Sequence, residues 1–109
     1  MPKLLISPEA KKDVREIQTY IAEILESPKA AFNMVSGIID KIESLLQFPE
    51  KGRLLNTKLP LPARYRVLMF KHYGIFYRYE AETIFVDRVI YAKRDYVTIL
   101  FPELADENR

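Results

Sequence analysis

The residues of this chain best suited to chemistry are cations and phenols in its second half. Arg64, Arg66, Lys71, Arg78, Arg88, Lys93 and Arg94 alternate with Tyr65, Tyr73, Tyr77, Tyr79, Tyr91 and Tyr96. Cations neutralise phosphates and aromatic faces stack on bases, so the mixture suits nucleic acid. It suits an acidic protein partner equally, because arginine and tyrosine dominate protein interfaces. A plainer reading packs the tyrosines on strands and lets the arginine stems lie along sheet edges with their heads in water. Residue type alone leaves all three open. The positions expected to touch a macromolecule are Arg64, Arg66, Arg78, Arg88, Lys93 and Arg94.

Other chemistries find few residues. The 109-residue chain has no cysteine, which removes thiol nucleophiles, disulfides and zinc–thiolate sites. Its one histidine, His72, falls in an expected hairpin turn, and Ser7, Ser27, Ser36 and Ser44 fall at helix starts or inside helices, so no serine–histidine hydrolase is expected. Three scattered glycines make no phosphate-binding loop. No cofactor or metal is expected. The first residues carry no apolar run of signal-peptide length and no later segment could span a bilayer, so the expectation is a cytoplasmic protein with no membrane partner.

Charge is unevenly spread. Residues 1–50 carry six Lys/Arg against eight Asp/Glu, residues 51–96 ten against four, and residues 97–109 one against three. The middle segment therefore holds a net +6 in a chain whose total is +2, which hints at an anionic partner.

Those cations need a scaffold, and the periodicity supplies one. Lys3 to Ile6 reads as a short strand. Ser7-Pro8-Glu9 is a helix start, with Val14, Ile17, Ile21, Ile24 and Leu25 following at helical spacing. Ser27-Pro28 repeats the signal, and Val35, Ile38, Ile39, Ile42, Leu45 and Leu46 form a second stripe ending at Pro49 and Gly52. Both stripes are expected to pack in the core as an antiparallel hairpin. Residues 51–62 read as a loop. Strands are predicted at 64–70, 73–79 and 83–91 from their β-branched and aromatic content. In the third, Ile84, Val86 and Ile90 are expected on one face, with Phe85, Val89 and Tyr91 on the other. Arg88 falls in register with Ile84, so either that face is wet at its end or Arg88 pairs with a carboxylate. A last helical turn is expected within 95–101, then a polar tail over 103–109. The result is one α+β domain of order β-α-α-β-β-β, an antiparallel sheet packed on an N-terminal helix hairpin.

Two stretches carry a family resemblance. Leu45 to Arg53 reads LLQFPEKGR. Tyr73 to Arg78 reads YGIFYR, and Val86 to Tyr96 reads VDRVIYAKRDY. With SPEAKKDVREIQTYIAE near the N-terminus, they resemble the RelE/ParE toxin superfamily of type II toxin–antitoxin systems, over roughly residues 3–101 in element order. The FPEKGR loop, the long helix hairpin and the Arg-Asp after the last strand look more ParE-like than RelE-like.

The resemblance implies a toxin of a plasmid-stabilisation module, held inactive by a cognate antitoxin in a hetero-oligomer. RelE-type members are ribosome-dependent mRNA endoribonucleases, whereas ParE-type members poison DNA gyrase. Aligning the motifs places Gly74 where the nucleases carry a central arginine. Arg94 matches a second basic position, and Arg66 a third if one loop residue is allowed for. The nuclease's C-terminal tyrosine position falls on Leu100, beside Phe101. A nuclease would have to use Arg66, Arg94 and Tyr96, an incomplete set for charge stabilisation and proton transfer. The expectation is therefore gyrase inhibition. The alternatives are mRNA cleavage on the ribosome, and a degenerate, non-toxic partner that only binds an antitoxin.

Overall fold

The structure, a computed structural model, describes residues 2–55, 64–94 and 96–102. Strand β1 (Lys3–Ile6) opens the chain. Ser7 ends it and starts helix α1 (Pro8–Thr19), its hydroxyl accepting from the Ala10 N–H at 2.9 Å while Pro8 fills a first-turn position that needs no N–H. A π-helical turn, Tyr20–Ile24, extends α1. Ser27 then caps α2 (Pro28–Ser44), accepting from Ala30 at 3.3 Å.

Of the two predicted stripes, Ile17, Ile21, Ile38, Ile42 and Leu45 are buried in the main core, and Val14 and Leu46 pack against it partly buried. Ile24, Leu25 and Ile39 do not, and Ile24 is 67% exposed. A π turn takes more residues than an α turn, so positions after Ile21 rotate off the buried face. Ile39 sits one residue, about 100° of helical rotation, past the core-facing Ile38.

Five strands form the sheet, in the order β1-β5-β4-β3-β2. Strands β3 (Tyr65–Phe70), β4 (Tyr73–Glu80) and β5 (Thr83–Tyr91) make the expected antiparallel meander. Strand β2 (Arg53–Leu54) lies inside the stretch read as a loop and pairs antiparallel with β3. The rest of that loop, residues 56–63, and the tail, 103–109, lie outside the described residues, as does Asp95. Strand β1 joins the far edge, parallel to β5. The helix hairpin covers one sheet face over Leu68, Ile75, Tyr77, Ile84, Val86 and Val89. The opposite face holds a smaller cluster of Val67, Phe76 and Ile90, against which the short helix α3 (Tyr96–Leu100) packs through Tyr96, Ile99 and Leu100.

One residue corrects the strict alternation expected for β5. Phe76 lies opposite Arg88 and Tyr77 opposite Val86, so Asp87 is an extra, bulged residue. Beyond it the faces exchange. Val89 joins Ile84 and Val86 in the main core, and Ile90 turns to the opposite cluster.

Because β1 stops at Ile6, the β5 edge beyond Val86 has no strand beside it. Ser7, which caps α1, and Asp13 within it replace the missing ladder. The Ser7 N–H donates to the Val86 carbonyl at 2.9 Å, and its hydroxyl donates to the Asp87 carbonyl at 2.7 Å. Asp13, 8% exposed, accepts the Val89 N–H at 2.9 Å. The same carboxylate takes Nε and Nη2 of Arg88 at 2.7 and 2.8 Å, so the arginine does pair with an acid. Fork-to-fork geometry of this kind is the strong form of ion pair.

Asp13→Ala would leave a guanidinium and a buried amide without their acceptor. A loss of about 3 kcal/mol in unfolding free energy is expected from urea denaturation. Asp13→Asn keeps one acceptor oxygen and should fall between Ala and wild type. An Asp13→Ala midpoint equal to wild type would contradict this account.

Candidate functional site

The arginines singled out from sequence are distributed over both faces of the sheet. Arg66 shares the helix-side face with its cross-strand neighbour Tyr77. Its guanidinium donates to the carbonyls of Glu50 and Gly52 at 3.0 and 2.7 Å, and lies 3.9 Å from the Glu50 carboxylate. Tyr77, fully buried, completes the clamp on this loop. Its phenol donates to the Pro49 carbonyl and accepts from the Gly52 N–H, both at 2.8 Å. Gly52 is required there, since a Cβ would come within 2.6 Å of the Tyr77 ring. The FPEKG stretch is thus held by two strand side chains, and Phe48 is left exposed at its start.

Arg78 faces the other way. Its Nε donates to Asp87 at 2.9 Å and Nη1 to Glu80 at 3.2 Å, while its guanidinium lies over the Phe85 ring at 4.5 Å. The Tyr65 phenol donates to the same Asp87 carboxylate at 2.6 Å. Burial, then this hydrogen bond, push the Tyr65 phenol well above its ordinary value, so at neutral pH it is a fixed donor. The bulge is what aims Asp87 at both groups. Two carboxylates around one guanidinium leave this corner with no surplus positive charge.

Arg88 is engaged by Asp13 at the β5 edge, as described above. Arg64, Lys93 and Arg94 are exposed, the last two in the turn after β5, where the Arg94 N–H donates to the Tyr91 carbonyl at 3.0 Å. Tyr96 lies stacked on Phe76 with centroids 5.3 Å apart. Phe101 is 2% exposed and meets Tyr65 edge-on at 5.3 Å. At Gly74 a Cβ would lie 2.9 Å from Phe76 Cε2 and 3.1 Å from Val67 Cγ2, so the small residue lets this second cluster close.

Arg66, Arg94 and Tyr96 therefore do not converge. The first lies on the helix side, near the start of β3. The third is the first residue of α3, packed on the opposite face, and the second lies beyond the last residue of β5. Sequence reasoning missed Asp13 and Asp87, the two acids that organise the arginines. Asp13 had a legible signal: with Ala10 and Ile17 it falls at helical spacing on the buried face of α1. Asp87 had none, because a bulge leaves no mark in local composition. Among the described residues no group of three or more histidine, cysteine or acidic side chains could hold a metal ion. No helix among them is long and apolar enough to cross a membrane.

A family model described as the ParE toxin of the type II toxin–antitoxin system parDE matches residues 4–96. The chain belongs to the ParE toxin family. This toxin family member also shares its fold with a solved structure described as the chromosomal ParDE TA system from P. aeruginosa. The TM-score is 0.71 at 20% identity, covering 85% of this chain and 98% of that one. No curated protein matches the sequence. The toxin's matched region includes the loop clamp, the bulge and the Asp13–Arg88 pair, and stops short of Phe101.

The Tyr65 phenol gives a pH test. A tyrosine whose folded value is raised contributes stability that is fully present below the unfolded value of about 10 and is lost as pH rises through the folded value. Tyr65→Phe should remove a late-titrating phenol from the alkaline absorbance titration. It should also flatten the decline of stability above about pH 10. An unchanged late phase in the variant would assign that phase to another tyrosine and refute the role given to Asp87.

Proposed function

We propose that this ParE-family toxin acts by binding DNA gyrase, and that a cognate antitoxin neutralises it in a hetero-oligomeric complex. The observation that carries the reading is the separation of Arg66, Arg94 and Tyr96. A ribonuclease needs a cation and a proton-transfer group at one phosphodiester. Here the three candidates are divided between the two faces and the far end of the sheet.

Charge supports the same conclusion. Arg66, Arg78 and Arg88 each lie within 4.0 Å of a carboxylate of this chain. A polyanion lying on the sheet would have to displace those acids. Helix α3 also packs over the face on which Gly74 lies, so apolar side chains occupy the place where an RNA backbone would have to lie. A partner that covers the toxin is supported by exposed apolar side chains on the helix hairpin. Tyr20, Ile24, Leu25, Phe32 and Ile39 all point to solvent. Gyrase as target implies action in the cytoplasm.

Purified toxin at micromolar concentration should inhibit supercoiling by gyrase and leave mRNA intact on translating ribosomes. Adding the antitoxin should restore supercoiling. Unimpaired gyrase would overturn the target, and toxin-dependent cuts in mRNA would establish the nuclease reading in its place.

A further inference from the structure

Where the end of α1 meets the end of β5, a cleft of about 170 Å³ opens beside Arg94. Tyr20, Tyr73 and Tyr91 line it, with Glu16 on the helix wall and Ile17 and Ile99 among its apolar residues. The Tyr73 and Tyr91 rings meet edge-on with centroids 5.7 Å apart. Among the described residues the Arg94 guanidinium has no hydrogen bond or ion pair, unlike those of Arg66, Arg78 and Arg88, which are all engaged. We propose that this cleft seats an aspartate or glutamate side chain of the target protein, with Arg94 and the tyrosine phenols as its donors.

Size and charge choose the occupant. Small-molecule and cofactor pockets begin at about 300 Å³, so this space fits a side chain rather than a nucleotide. Burial, then the neighbouring Tyr91 and Tyr20, push the Tyr73 phenol up, which keeps it a proton donor. Phenol O–H groups and a guanidinium offer donors only to an acceptor such as a carboxylate, and a charge-assisted pair with arginine is the strong member of that set. Ile17 and Ile99 give apolar surface for the methylene stem. A nucleic-acid backbone needs a row of cations. Among the described residues the cleft instead has one unengaged guanidinium, enough to pair with a single carboxylate and too few to follow consecutive phosphates. Glu16 lies 3.9 Å from Lys12, and Asp13 is held by Arg88, so neither acid is ion-paired with Arg94.

The target named here rests on the gyrase reading, so two measurements separate them. In the first, labelled toxin is titrated by NMR with an acetyl- and amide-capped glutamate peptide, with inorganic phosphate and with a short oligonucleotide. The peptide should shift the ring signals of Tyr73 and Tyr91 and the side-chain signal of Arg94, and Arg94→Ala should weaken that response about tenfold. No shift at these residues, or an equal response to phosphate or the oligonucleotide, overturns the proposal.

The second measures gyrase inhibition by Arg94→Ala, Arg94→Lys and Tyr73→Phe, with circular dichroism as the check on folding. Arg94→Ala should need at least about tenfold more toxin for half-inhibition, and Arg94→Lys should recover part of the loss. If wild type inhibits and a folded Arg94→Ala inhibits equally, the cleft is not the contact. If wild type itself leaves gyrase untouched, the target reading fails, and the peptide titration alone decides whether the cleft takes a carboxylate.

Discussion

One carboxylate joins the two layers of this protein. Asp13 reaches from α1 to the part of the β5 edge that no strand borders, takes both forks of Arg88 and satisfies the Val89 amide. Each partner solves a problem of the other. A carboxylate at 8% exposure needs compensating donors, and a strand edge that ends against a helix needs an acceptor for its free N–H. Together with Ser7, which binds both the Val86 and Asp87 backbones, Asp13 sets the angle at which α1 leaves the sheet. The helix hairpin, the main core and the cleft beside Arg94 all follow from that angle.

The same logic of internal counter-ions runs through the rest of the basic half. A net +6 over residues 51–96 suggests an open cationic surface, yet three of its six arginines, Arg66, Arg78 and Arg88, are tied to acceptors of the chain itself. Arg66 fastens the FPEKG loop, and Arg78 shares Asp87 with Tyr65. Helix α3 then closes the face opposite the hairpin, with Phe101 as the buried anchor at its end. Among the described residues, surface left for partners includes the hairpin's apolar residues, Phe48, and the turn carrying Lys93 and Arg94. A molecule built this way is suited to recognising another protein.

Much of this was legible in the chain. Serine–proline pairs marked both helix starts, and β-branched and aromatic runs marked the three long strands to within a residue or two. The ParE-like motifs located the family. The bulge at Asp87 was not legible, since alternation carries no warning that one residue will be skipped, and the skip reassigns Val89 and Ile90. Strand β2 is only Arg53–Leu54, and two residues cannot declare a period. The cations were visible as residue types, but their direction depended on acids distant in sequence: Arg88 and Asp13 are 75 positions apart. Pairing over such a span is a property of the tertiary fold.

Strand β1 has a consequence for timing. Its residues Lys3 to Ile6 pair with Thr83 to Val86, so the first strand synthesised borders on the last. At translation rates of about 5–20 residues per second, the N-terminal strand waits about 4–16 s before its neighbour has even been made. Contacts of such long sequence separation also form late for reasons of chain entropy. Ser7 and Asp13 find their acceptor and donors in the same C-terminal stretch, so α1 cannot dock correctly until then. The nascent chain thus carries an unpaired first strand for most of its synthesis, and the sheet can close only after its last strand has been made.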